Sequence, residues 1–236
     1  MRPPGKEGNA LDQKLRHEVK HYLSYGDLLE LRPRLRAVMA SDSHARDGRY
    51  LIRSLYFDNL FDKALNEKID GVSRRAKFRV RFYDLDTSYI CLEKKVKTGG
   101  LGNKQQTVLT ASEAEDLSRG VTGWMAEDDR PLVRELYARM TTEGLAPKTI
   151  VEYTREPFVY APGNVRVTLD YGIRTGLGCT DFLDPGCVTV PVPDDPIILE
   201  VKWDEYLPDI IRDIVQVPGT RSTAYSKYAA CRSYDL

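Results

Sequence analysis

Several things are scarce in this chain of 236 residues. No apolar run approaches the roughly 18 residues that a membrane-spanning helix needs, so the 42% of apolar residues are expected in a buried core. Four cysteines, Cys91, Cys179, Cys187 and Cys231, stand at irregular spacing without a C-x-x-C pair. That indicates neither a zinc knuckle nor a disulfide framework, and a reducing, cytoplasmic setting fits best. There are only three histidines and no internal repeat. The opening residues MRPPGKEGNALDQK lack the apolar stretch of a secretory signal. Residues 1–13 are expected to form a flexible arm ahead of a domain over 14–236. A net charge is also lacking, but its balance is uneven. Residues 14–104 hold 20 Lys and Arg against 12 Asp and Glu, whereas residues 105–236 hold 13 against 21.

What the sequence does have is period-two alternation rich in β-branched and aromatic residues. It predicts strands near 15–23, 50–58, 75–83, 89–97, 104–110, 148–156, 165–174 and 197–203. Helical periodicity predicts helices over Asp27 to Met39, interrupted by Pro33, over Leu60 to Ile69, over Ser112 to Arg119 with Ser112 and Glu115 as a capping box, and over Pro131 to Met140. Residues 120–130 and the Pro- and Gly-rich stretch 176–196 read as long loops. The class is α+β with mostly antiparallel strands, and eight strands with turn-rich connections suit a closed barrel as well as a sandwich.

The strand faces bear on that choice. In FRVRFY, Phe78, Val80 and Phe82 point one way, while Lys77, Arg79, Arg81 and Tyr83 point the other. The same split sets Leu199, Val201 and Trp203 against Glu200 and Lys202, and Val165, Val167 and Leu169 against Arg166, Thr168 and Asp170. Arg16, Glu18 and Lys20 share a face; Glu93, Lys95 and Lys97 share another, leaving Lys94 awkwardly among apolar neighbours. An open sheet with a solvated outer face would also alternate this way. Such faces usually mix small polar residues and both charges, however, and like charges opposite one another across strands are destabilising. Charged faces curled round a lumen, with helices covering the apolar faces, satisfy the pattern better. A lumen so rich in Arg and Lys suits a polyanion, because Arg forks grip phosphate oxygens and Lys adds mobile point charges. Its few carboxylates suit a divalent cation bridging phosphates.

Taken in order, RHEVKHYL, YLIRSLYFDN, LNEKIDG, KFRVRFYD, CLEKKVKTGG, VEYTREPF, NVRVTLDYGI, IILEVKW and YSKY resemble the VTC domain. This is the vacuolar transporter chaperone type polyphosphate polymerase domain of the CYTH-like triphosphate tunnel metalloenzyme superfamily. The resemblance implies an α+β fold, an antiparallel eight-stranded tunnel β-barrel with flanking helices. It implies ATP and polyphosphate as ligands, inorganic phosphate or pyrophosphate beside them, Mn2+ or Mg2+ as cofactor, no nucleic acid, and a possible membrane-protein partner. Lys20, Arg79, Arg81 and Lys95 take the catalytic positions on the tunnel wall. Lys68, Arg155, Arg166, Lys202, Ser226 and Lys227 take phosphate-binding ones, Glu200 the metal position, and Glu18 and Glu93 those of helpers. Each has a plainer role too: Glu200 could pair with Lys202, and Ser226 could cap the helix of KYAACR. Where the hydrolytic and cyclase branch opens with E-x-E-x-K, this chain has Arg16-x-Glu18-x-Lys20. The change removes a metal ligand and is expected to add a phosphate contact, favouring polymerisation over triphosphate hydrolysis or a purely binding role.

Two motifs are decoys. His17-Glu18-Val19-Lys20-His21 matches H-E-x-x-H, but zinc chelation requires a helix, and on a strand the histidines stand about 13 Å apart. Thr98-Gly99-Gly100-Leu101-Gly102 lacks the G-K-[ST] ending of a phosphate loop and reads as a hairpin turn. Arg53 shares a face with Leu51, Leu55 and Phe57 and is left out of the site. Nucleic-acid binding fits poorly with cations spread over many strands on one parity and a pI near 6.8.

Overall fold

The computed structural model describes residues 16–234 apart from residue 221; the arm expected over 1–13 lies outside them. The elements run β1 (His17–Leu23), α1 (Tyr25–Val38), β2 (Ala40–Ser41), β3 (Tyr50–Asp58), α2 (Lys63–Ile69), β4 (Arg74–Tyr83), β5 (Asp86–Thr98), β6 (Leu101–Leu109) and α3 (Ala111–Ser118). They continue α4 (Pro131–Glu143), β7 (Ala146–Tyr160), β8 (Val165–Thr175), β9 (Val190–Pro191), β10 (Ile197–Trp203), α5 (Asp209–Ile214) and α6 (Lys227–Cys231). All eight expected strands are present, and β2 and β9 are two short additions. They form one antiparallel sheet in the order β1-β10-β8-β7-β3-β4-β5-β6, with β2 on β7 and β9 on β8.

The sheet curls but does not close, which corrects the barrel expectation. Among the described residues its outer strands β1 and β6 meet at a single bridge, Arg16 to Gly102, whose two backbone hydrogen bonds are both 3.4 Å long. Continuing that ladder along β1 would need residues before Leu101, where Gly99 and Gly100 turn the β5–β6 hairpin with φ of 56° and 88°. Only glycine adopts such angles without strain. The curl comes from register shifts at Tyr56/Phe57, Arg81/Tyr83 and Glu152/Thr154 in neighbouring strands, since bulges increase local twist.

Alternation sorts the side chains as the sequence suggests. On the convex face, Phe78, Val80, Phe82, Ile90 and Leu92 are buried under Ala114 and Leu117 of α3 and Leu132, Val133 and Leu136 of α4. The other half of that face carries Val165, Val167, Leu169, Leu199 and Val201, covered by Leu28, Leu31 and Leu35 of α1 and Ile211 of α5. Each fully buried aliphatic chain contributes about 1.5–3 kcal/mol. Lys94 fits among these residues because Glu135 of α4 meets its Nζ at 2.5 Å and the Phe78 ring lies 5.8 Å away. Arg53 likewise serves the convex face, donating to Glu152 at 2.6 Å.

Two helix details differ from expectation. α1 runs through Pro33 because Leu28, Leu31 and Leu35 anchor it on both sides of the proline, and a Ser24–Asp27 capping box starts it. α3 is capped two residues earlier than expected, by Thr110 and Glu113 rather than Ser112 and Glu115. No helix among the described residues is long and apolar enough to cross a membrane.

Asp58, at the end of β3 and 1% exposed, ties the concave side together. It accepts from the N–H groups of Asn59, Ala64 and Leu65, thereby capping the start of α2, and from the Tyr228 hydroxyl of α6 at 2.7 Å. Asp58→Ala is expected to cost on the order of 3 kcal/mol, because each buried donor left without a partner costs about 1–3 kcal/mol. Asp58→Asn, which keeps one acceptor oxygen, is expected to cost less; urea denaturation of the two variants checks the order.

Candidate functional site

The concave face holds a cleft of about 240 Å3, lined by eleven Lys and Arg side chains and two carboxylates. β4 supplies Lys77, Arg79 and Arg81, because odd positions of this strand face inward when Phe78, Val80 and Phe82 face out. β5 supplies Lys95 and Lys97, β1 Glu18 and Lys20, β10 Glu200 and Lys202, and β7 Tyr153 and Arg155. Lys68 enters from the last turn of α2 and Arg75 from the start of β4. Residues 222–228 lie across one side, bringing Ser226 and Lys227. The cleft therefore gathers eleven of the thirteen residues singled out in the sequence, all but Arg166 and Glu93.

Arg166 faces inward from β8 beyond the cleft, where it donates to Asp42 at 2.9 Å and to the Tyr50 hydroxyl at 2.7 Å. Arg16, expected to face a phosphate, also lies outside the lining, with its Nε 2.8 Å from Asp204. Glu93, a candidate metal helper, lies behind the wall. It is saturated by Arg79 at 2.7 Å and Lys104 at 3.0 Å, with Arg81 at 4.0 Å. The H-E-x-x-H run lies in β1, where His17 stacks on Trp203 at 5.3 Å.

Carboxylates organise the wall. Glu200 lies 3.2 Å from Lys20 and 3.9 Å from Arg155, and Lys202 rests against its Oε1 without a well-aligned hydrogen bond. Glu18 meets Lys95 at 2.9 Å, Lys20 at 3.3 Å and Lys202 at 3.6 Å. Fully buried Asp170 accepts from Arg155 Nε and Nη2 at 2.6 and 2.7 Å, and from Lys227 at 2.6 Å. Burial pushes the pKa of Glu200 and Glu18 up, but the surrounding lysines, joined at Glu200 by Arg155, outweigh it and hold both well below the ordinary carboxylate range. The same burial lowers Lys95 and Lys202.

Tyrosines underlie the cations. Tyr56 accepts from Arg79 at 2.7 Å, Tyr153 accepts from Arg81 at 3.1 Å, and Lys227 stands 4.5 Å over the Tyr153 ring. Tyr56 stacks on Tyr228 at 5.0 Å, and Lys77 lies 4.9 Å over the Tyr228 ring. Sequence reasoning passed over Tyr56, Tyr153 and Asp170 as site residues, although alternation in YLIRSLYFD, VEYTREPF and VRVTLDY places all three on the inward parity. Lys77 and Lys97 stood on the basic rows but were not singled out. Arg75 shares the parity of Lys77 at the start of the same strand and was passed over with it.

Four cations, Lys68, Arg75, Lys77 and Lys97, have no carboxylate partner among the described residues. They repel one another, and burial together with that repulsion lowers the pKa of Lys68, Lys77 and Lys97. A surface of this kind has the donors to meet the oxygens of an extended polyanion at several points at once.

The VTC domain profile matches residues 15–234. Among solved structures, a "putative adenylate cyclase" from Bacillus halodurans superposes with a TM-score of 0.51 at 13% identity, covering 87% of this chain and 94% of that one. The PH1819 protein of Pyrococcus horikoshii OT3 gives a TM-score of 0.46 at 12% identity, covering 91% and 96%. No curated protein matches the sequence. The architecture is the CYTH-like triphosphate tunnel fold, here with an open seam. With the family profile spanning nearly all of it, the chain belongs to the VTC domain family.

Proposed function

We propose that the cleft transfers the γ-phosphoryl group of ATP to a growing polyphosphate chain. The observation that carries this reading is the excess of eleven cations over two carboxylates on one lining, four of those cations lacking a carboxylate partner. A single phosphate cannot satisfy so many donors, whereas a triphosphate end to end with a phosphate chain can. Arg79, Arg81, Lys20 and Lys95 would hold the transferring phosphoryl group and its neighbours in line. Lys68, Arg155, Lys202, Ser226 and Lys227 would bind the flanking phosphates. Catalysis on this reading is positioning plus electrostatic stabilisation.

Mn2+ or Mg2+ fits the donors present. Glu18 and Glu200 offer oxygen ligands on one face, and Glu200 Oε1 is buried without a well-formed hydrogen bond. No cluster of three His, Cys, Asp or Glu occurs among the described residues. The remaining ligands would be phosphate oxygens and water, the usual arrangement for Mg2+. When bound, such an ion supplies charge neutralisation on the phosphates.

Incubation with ATP and Mn2+, followed by gel analysis for long polyphosphate beside a free-phosphate assay, tests the reading. Chains are expected. Free phosphate without chains would mean that water is the acceptor and the site is a triphosphate hydrolase; neither product would overturn an enzymatic role. In the same assay Glu200→Gln is expected to lose Mn2+-dependent turnover while metal-free tripolyphosphate binding holds or tightens, because the lining becomes more positive. Full turnover in that variant would reduce Glu200 to an ion-pair partner. Arg79→Ala and Arg81→Ala should each weaken tripolyphosphate binding by roughly tenfold or more, and Lys94→Ala on the convex face should not change it.

Protonation gives a further prediction. Burial lowers Lys77 to about 8; Tyr56 and Asp58 oppose the shift, and Lys68 and Arg75 add to it. Burial raises the Tyr56 hydroxyl, but Arg79, Arg81 and Lys77 bring it down to about 8. Between about 8 and their ordinary values of 10.5 and 10.0, the unfolded chain holds protons that the folded chain has released. The contribution of this pair to the stability of the ligand-free protein therefore rises with pH across that window. Tripolyphosphate affinity moves oppositely, as Lys77 loses its positive charge and Tyr56 gains a negative one. Urea midpoints and titration calorimetry on either side of this window should diverge; affinity that rises with stability would contradict these assignments.

A further inference from the structure

Among the lysines of the cleft, Lys77 is bonded differently. Lys20, Lys95, Lys202 and Lys227 each touch a carboxylate. Lys77 has no carboxylate partner among the described residues and instead reaches the Ser226 hydroxyl, with Nζ and Oγ 3.4 Å apart. The Tyr228 ring beneath it fixes the ammonium at 4.9 Å. Ser226 is equally fixed. Its Oγ accepts from the Ala229 N–H at 3.4 Å, and the segment behind it is anchored by Tyr228, which is buried against Tyr56 and bonded to Asp58. Both residues line the cleft. A hydroxyl whose oxygen meets a lysine without a counter-ion, inside a phosphate-binding wall, has the arrangement of a serine nucleophile with a lysine base.

We infer that Ser226 is a phosphoryl acceptor activated by Lys77. The inference rests on the reading of the cleft as a nucleoside triphosphate site. In the step, a bond forms from Ser226 Oγ to the γ-phosphorus while the bond from that phosphorus to the β–γ bridging oxygen breaks. The bridging electron pair leaves with the nucleoside diphosphate, and the hydroxyl proton passes to Lys77 Nζ. Lys227, on the same turn and held by Asp170, supplies positive charge beside the new phosphate ester. Burial disfavours the charged form of Lys77, and the groups facing it act in both directions. Lys68 of α2, Arg75 of β4 and Lys95, its cross-strand neighbour on β5, are cationic, while Tyr56 and Asp58 of β3 oppose them. With its pKa brought to about 8 by burial, Lys77 can take up and return a proton near neutral pH.

The full chain incubated with ATP and Mn2+, quenched and analysed by intact mass and peptide mapping, should carry one phosphoryl group on Ser226. The ester should be stable in acid, unlike a phosphohistidine or phospholysine. Ser226→Ala should lose it, and Ser226→Thr, which keeps both hydroxyl and cap, should retain it. Lys77→Arg keeps the positive charge but cannot accept the proton. It should slow labelling on the order of 100-fold, far more than any change in tripolyphosphate affinity measured beside it. An unmodified Ser226, or a label on another residue, overturns the inference; unaltered labelling in Lys77→Arg overturns the role of the lysine. The gel and free-phosphate assays on the same samples separate the two readings. Chains or free phosphate beside an unmodified Ser226 leave the proposed activity standing, and the absence of both products removes it as well.

Discussion

Everything on the concave face is arranged round the mutual repulsion of its cations. Two unit charges 4 Å apart interact by about 4 kcal/mol near a protein surface, so eleven on one lining would open the sheet if nothing opposed them. Four carboxylates do so from different places: Glu18 on β1, Glu93 on β5, Asp170 on β8 and Glu200 on β10. Each contacts at least two Lys or Arg side chains. Removing one partner of such a buried set costs about 3–5 kcal/mol, because it leaves charge uncompensated. The lowered pKa values of these acids follow from the same geometry. Their stabilising contribution is complete above the ordinary carboxylate range and is lost only as pH falls through the depressed values.

The constraint also explains why the last described segment matters to the site. β1 and β6 leave an open seam, so backbone pairing alone does not enclose the cleft. Residues 222–231 cover one side of it, with Thr223 N–H donating to Lys20 O at 2.8 Å and α6 packed on the inner ends of β7 and β8. Asp170 holds Lys227 from below and Asp58 holds Tyr228. Buried acids of the sheet thus position a distant part of the chain whose own residues are mobile-charge and hydroxyl donors. The aromatic layer of Tyr56, Tyr153 and Tyr228 gives the cations a surface that is apolar enough to pack and polar enough to accept hydrogen bonds.

Much of this was legible in the sequence because strand alternation is a strict geometric rule. Once Phe78, Val80 and Phe82 are assigned to the core, Lys77, Arg79 and Arg81 have nowhere to point but inward, and the same holds for Glu200 and Lys202 between Leu199, Val201 and Trp203. Parity does not say how far along a strand the cleft extends. Arg166 has the right parity and the wrong depth, and only its neighbours Asp42 and Tyr50 reveal this. Closure was illegible for a related reason. It depends on whether two edge strands overlap, and the Gly99–Gly100 turn that ends their overlap reads locally as an ordinary hairpin. Lys94 shows the reverse case, a residue of unwelcome parity whose explanation, Glu135, lies 41 residues away on a helix.

The division between partnered and unpartnered cations gives the cleft a direction. Lys20, Lys95, Arg155, Lys202 and Lys227 are held by acids that a ligand must share with them, so phosphates bound there meet fixed, already compensated donors. Lys68, Arg75, Lys77 and Lys97 have no carboxylate in contact among the described residues, and burial and their mutual repulsion lower the lysines among them. The first group gains geometry and loses net field; the second keeps its field and has looser geometry. On the proposed reading the phosphates transferred to the chain belong with the compensated group, where in-line placement matters most. Lys68, Arg75 and Lys97 then suit the chain, whose many equivalent phosphates need charge rather than exact registry, while Lys77 stands apart beside Ser226. A wall of uniformly paired cations would bind a triphosphate without favouring anything longer, and a wall of uniformly unpaired ones would not hold its shape before the ligand arrived.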